Sequence, residues 1–146
     1  MNALLLALLV TEGGAPPDAG VRRPWVDQLL AKVTAGTVDT ESERDHVKPE
    51  DVLHLAKAYA ATKSWREKTH LIEVLQDSMD PALTEVWWDA LDVPDCGDDV
   101  CWEVRAIALA HLDGDLSRFS TYYDDRTRCR AALKKRLAER ATRRKR

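Results

Sequence analysis

Glu67 and His70 stand three residues apart, so on a helix the carboxylate and the imidazole would share one face. Carboxylate-bridged two-metal centres are built from that pairing, but they need a second Glu-x-x-His and further inward glutamates. None stands at a matching position, so neither a metal nor any other cofactor is expected. Asp113, Asp115, Ser117 and Asp124 would supply oxygens at positions one, three, five and twelve of a calcium loop. Arg118, however, occupies the sixth position, where such a loop needs glycine for its sharp turn. His54, His70 and His111 are spread over three separate segments with polar neighbours, the setting of rim or surface histidines. No Gly-x-Ser-x-Gly turn and no glycine-rich phosphate loop occurs. The reactive side chains do not converge, and a protein without catalytic activity is expected.

Cys96 and Cys101 flank a Gly-Asp-Asp loop, and in an oxidising compartment a disulfide between them would pin that loop to the next helix. Cys129 would then be left over. The competing reading is three reduced, partly buried thiols. The four-ligand Cys/His spacings of a zinc site are absent.

The compartment turns on residues 1–23. Ala3 to Val10 is an unbroken apolar run, too short to span a bilayer as a helix, which takes about 20 residues. Its length fits the core of a secretory signal, although a basic lead-in and a clear Ala-x-Ala cleavage site are missing. Export is the expectation, and a first helix packed on the end of the fold, in a cytoplasmic protein, is the alternative. Thr11 to Arg23 is rich in Gly, Pro, Ala and Asp and reads as a flexible linker.

From residue 24 onward the pattern is helical. Hydrophobic residues make up 45% of the chain and charged residues 32%, and the six glycines and six prolines fall mostly at helix ends. Pro24 opens a segment with Trp25, Leu29, Leu30 and Val33, which Gly36 closes. Residues 37–47 read as a polar turn. Pro49 opens a helix carrying Val52, Leu55, Ala56 and Tyr59. Ser64-Trp65-Arg66-Glu67 reads as a reciprocal capping box for a helix that buries Leu71, Ile72 and Leu75. Asp80-Pro81 starts a helix with Leu83, Val86, Trp87, Ala90 and Leu91 on its apolar face. Asp98 or Asp99 caps a helix to Leu112 that is apolar almost all round, which predicts burial in the middle of the fold. Leu116, Phe119, Tyr122 and Tyr123 mark a short helix, and a last one runs from about Asp125 into the basic tail. No segment alternates as a strand would.

Two of these helices match at an offset of 37: Trp65 falls on Trp102, Lys68 on Arg105, Leu71 on Ala108, Ile72 on Leu109 and Leu75 on Leu112. A period of that length predicts stacked helix pairs. Trp65 and Trp102 should then be equivalent core residues. Arg105 should bury its stem and reach an acidic loop side chain, with Asp99 the candidate.

Residues 103–112 resemble the second helix of a HEAT repeat. That pattern has an aspartate near the preceding turn, then Val-Arg, an alanine three residues after the arginine, and a leucine. Asp99, Val104-Arg105, Ala108 and Leu112 match it. The resemblance covers about residues 49–124, with Lys68 and Leu71 departing from it in the first unit. It implies a right-handed stack of antiparallel helix pairs, an α-solenoid with a partner-binding surface and no chemistry. An irregular helical bundle is the alternative.

The chain is thus expected to hold a helical-repeat domain over residues 24–133 and a basic tail over 134–146, acting as a protein-binding module or scaffold. Trp87 and Trp88 cannot both face one core, which makes Trp88 the candidate contact for a protein partner. Acidic residues collect between Asp77 and Asp125. Lys134, Lys135, Arg136, Arg140, Arg143 and Arg144 make the tail basic and suit an anionic partner. Nucleic-acid binding through that tail is the alternative function.

Overall fold

The computed structural model describes residues 23–94, 99–114 and 126–146, except the side chains of 99 and 126–128. Seven α-helices are present among the described residues, and no strand. The apolar N-terminal run, the calcium-loop positions from Asp115 onward, the short helix expected near Phe119, and Cys96 lie outside the described residues.

Helix α1 (Pro24–Ala35) begins on a proline, whose fixed φ suits a first turn that needs no N–H. Val26, Leu29 and Val33 recur at the three-and-four spacing of one helical stripe and are buried. Gly36 ends it at φ 72°, where Gly36 N–H donates to Val33 O and Thr37 N–H to Lys32 O. That pair of bonds is a Schellman cap, which favours glycine at the left-handed position.

The stretch expected to be a polar turn contains a helix, α2 (Thr40–Arg44), capped by Asp39, whose Oδ1 accepts from Ser42 N–H. Periodicity missed it because its one buried residue is an acid. The Glu43 carboxylate accepts from Trp25 Nε1 at 2.7 Å and from Lys32 Nζ at 2.6 Å, so α1 supplies the partners that let it be buried.

Helix α3 (Pro49–Ala61) also starts on proline. Its buried Asp51 accepts from the Lys48 N–H at 2.9 Å and from Arg23 at 2.6 Å, which holds the entry to α1 against the start of α3. Helix α4 (Trp65–Leu75) is capped by Ser64, whose Oγ accepts from Glu67 N–H. The return half of the expected box runs through a third residue. Ser64 N–H donates to Thr62 Oγ1, and that hydroxyl donates to Glu67 Oε2 at 2.6 Å. A 3-10 turn at Pro81–Leu83, capped by Asp80, leads into α5 (Thr84–Ala90); α6 (Asp99–Leu112) and α7 (Arg126–Arg144) follow.

Alternate helices touch. Helix α3 packs against α1 and α5, while α4 packs against α2 and α6; α3 also meets α4, and α5 meets α6. The chain therefore lays down two rows, α1–α3–α5 and α2–α4–α6, with one apolar core between them. Leu55, Leu71, Ile72, Leu75 and Leu109 are sealed there, each contributing about 1.5–3 kcal/mol over an exposed position. Of the residues that match at the offset of 37, Leu71, Ile72, Ala108 and Leu109 are buried, whereas Leu75 and Leu112 differ in burial, as do Trp65 and Trp102.

Helix α6 is not sealed on all sides as its composition predicts. Cys101, Val104, Arg105, Ala108 and Leu109 are buried, but Val100 is 38% and Trp102 43% exposed, and Glu103 and Ala110 are open. Helices α4 and α5 cover two of its sides, and α7 is tied to its C-terminal end. No described helix covers the rest.

Candidate functional site

The outer face of α6 and the C-terminal end of α4 enclose a groove of about 320 Å³. Trp102, Ala106 and Ala110 lie four residues apart and so form one row along α6. The two alanines leave a trough beside the indole, Ile107 adds apolar surface, and Asp77 and Glu103 bring carboxylates to the lining. One end is held rigidly. The His111 ring stacks on the buried Trp87 ring at 4.0 Å and 5°, and its Nε2 donates to Gln76 O at 2.7 Å. The groove thus brings an exposed indole, an aliphatic wall and two carboxylates together.

The tryptophans exchange the roles expected of them. Trp102 is not core: it is 43% exposed. Trp65 is half-buried, with the Lys68 ammonium 4.7 Å from its ring centre. Trp88 is half-buried. The Arg130 guanidinium of α7 lies 5.6 Å from its ring centre, and Arg130 Nη2 donates to Trp88 O at 2.6 Å.

Beneath Trp65 lies a polar cluster drawn from three helices. Tyr59 Oη donates to Asp89 at 2.7 Å, and Lys68 Nζ reaches the same carboxylate oxygen at 2.8 Å while sitting 4.9 Å from the Tyr59 ring centre. Burial pushes the Tyr59 phenol far above its ordinary range, and the Asp89 carboxylate raises it further. A phenol held protonated in this way is a structural donor, a poor base or nucleophile. The cluster joins α3, α4 and α5.

Arg105 is buried, and its Nη2 donates to Val93 O at 2.8 Å, closing the loop after α5 onto α6. The side chain of Asp99, its expected partner, lies outside the described residues. Cys101 is disulfide-bonded and Cys129 is a free, buried thiol whose pKa burial raises. Glu67 is engaged with Thr62, and His70 Nδ1 lies 3.9 Å from Glu73. Among the described residues no three His, Cys, Asp or Glu side chains are grouped to hold a metal. None of the helices there is long and apolar enough to cross a membrane.

The basic segment 134–146 continues α7 and is not a separate tail: the helix is unbroken to Arg144. Cys129 and Leu133 are buried on its inner side. Its cations divide into two groups. Arg130 pairs with Asp92 at 2.7 Å; Arg136 and Arg140 converge on the buried Asp113 carboxylate at 2.8 and 2.7 Å. Lys134, Lys135, Arg143 and Arg144 are exposed. No family model, no curated protein and no solved structure matches the chain.

Proposed function

We propose that the chain is a non-catalytic, HEAT-like helical-repeat module that binds a segment of another protein in the groove between α4 and α6. The packing of alternate helices into two rows supports the repeat reading, because stacked helix pairs make contacts of this order. The observation that carries the binding site is Trp102, a large aromatic 43% exposed beside a trough of alanines. Tryptophan is the residue most often found at the energetic centre of an interface. Asp77 and Glu103 select for Lys or Arg flanking the partner's apolar anchor.

Selection of displayed random peptides on the full chain tests this. Enriched sequences should carry an aliphatic or aromatic anchor with basic neighbours. Their binding should fall at least tenfold in Trp102→Ser and change little in Trp88→Phe. Acidic consensus sequences, or binding indifferent to Trp102→Ser, would overturn the assignment.

A further inference from the structure

We propose that the exposed cations of α7 and its C-terminal end form a second binding site, for the phosphates of double-stranded nucleic acid. It is independent of the groove on α6. Residues 126–146 hold eleven of the 22 Lys and Arg residues and one of the 25 Asp and Glu residues, a net of +10 that leaves −13 on residues 1–125. A separation of that size on one small chain makes α7 a strong local source of positive potential.

The structure sorts these cations. Arg130, Arg136 and Arg140 hold α7 to the body through Asp92 and Asp113, although the Arg140 side chain stays 44% exposed. Six others, Lys134, Lys135, Arg143, Arg144, Lys145 and Arg146, are exposed. Lys134 and Lys135 lie about 15 Å along the helix from Arg143 and Arg144 and on the opposite side of it, so the cations flank α7 in two groups, one mid-helix and one at its C-terminal end with Lys145 and Arg146. Between them the exposed surface carries Ala138, Ala141, Thr142 and a single acid, Glu139. The described exposed surface of α7 has no aromatic ring on which an unpaired base could stack, which is how single strands are gripped. It has no large apolar side chain to enter a lipid interface either, since Leu133 is turned into the core. A duplex rod of regularly spaced phosphates needs neither. The net charge of −13 on residues 1–125 disfavours approach of the duplex elsewhere on the chain.

The test is fluorescence anisotropy of the full chain with a labelled 20-base-pair DNA of arbitrary sequence. Six phosphate contacts give a log–log salt slope of about −5, so affinity should fall about 10³-fold between 50 and 200 mM salt. K134Q/K135Q should make the slope shallower by about 2 with an unchanged melting temperature. R136Q/R140Q should leave the slope unchanged and lower the melting temperature. No binding at 50 mM salt would overturn the proposal, as would equal slopes for wild type and K134Q/K135Q. Tighter binding to phosphatidylserine vesicles or to polyglutamate than to the duplex would overturn it in favour of a membrane or an acidic protein.

Discussion

Arg140 Nη1 lies 2.7 Å from Oδ1 of Asp113, a carboxylate with no solvent exposure, and 3.0 Å from the carbonyl oxygen of the same residue. Asp113 follows the last residue of α6, and Arg140 is near the end of α7. One contact therefore ties the two helix ends, and Arg136 doubles it from the preceding turn at 2.8 Å.

This tie has an asymmetric cost. In R136Q/R140Q a buried carboxylate loses both cations, a loss of about 3–5 kcal/mol. In Asp113→Asn the charge disappears but an acceptor oxygen remains, and the two arginines are open enough to be hydrated, so the loss is about 1–2 kcal/mol. Urea midpoints separate the two variants. Equal midpoints would mean that burial of Asp113 does not control the docking of α7.

Glu43 makes stability depend on acid. The hydrogen bond from Lys32 holds its carboxyl below the ordinary value of 4.5; burial opposes this, and the Trp25 bond adds to the lowering. Its pKa is thus lower folded than unfolded. The stabilisation it gives is complete above about pH 4.5 and is lost as pH falls through the folded value. Glu43→Gln should cost about 1.5–3 kcal/mol at neutral pH and flatten the decline of unfolding free energy between pH 5 and 3. Parallel declines in the two proteins would remove Glu43 from the account.

Gly36 admits no side chain cheaply. Its φ of 72° is left-handed, and a Cβ built there would lie 2.6 Å from Nη1 of Arg66, whose Nη2 donates to Thr34 O. Gly36→Ala should cost about 1–2 kcal/mol and lower the melting temperature by about 2–8 °C. Gly36→Asn should cost less, because asparagine tolerates that region. A rise in melting temperature for the alanine variant would contradict the Schellman cap.

The thiols report on oxidation and burial together. With Cys101 disulfide-bonded and Cys129 buried, native protein should resist alkylation. Denaturant alone should expose one thiol per chain, and denaturant with reductant three, with a peptide map joining Cys101 to Cys96. Three labelled thiols without reductant would show that the pair is reduced.

Periodicity was enough to locate most of the long helices. Val26, Leu29 and Val33, or Val52, Leu55 and Tyr59, announce a buried stripe through spacing alone, and Gly36, Ser64 and Asp80 mark ends through their own side chains or lack of one. Those signals are local, because a helix face and a cap are formed by residues within a few positions of each other. Helix α2 escaped because its buried member is Glu43, whose burial depends on Trp25 and Lys32 in another helix.

The candidate sites were less legible. Trp65 and Trp102 look alike in the chain, as do Lys135 and Arg136, yet one of each pair faces water and the other is half-buried. Composition made α6 a central rod and Trp88 a free contact. Packing left Val100 and Trp102 of α6 exposed and drew Arg130 over Trp88. Exposure depends on which distant elements arrive alongside, and α7 returns to α6 and Asp113 from 13 or more residues away in the chain. Local sequence carries the helical period and the caps; it does not carry the neighbour, and the neighbour decides which indole and which cations meet the solvent.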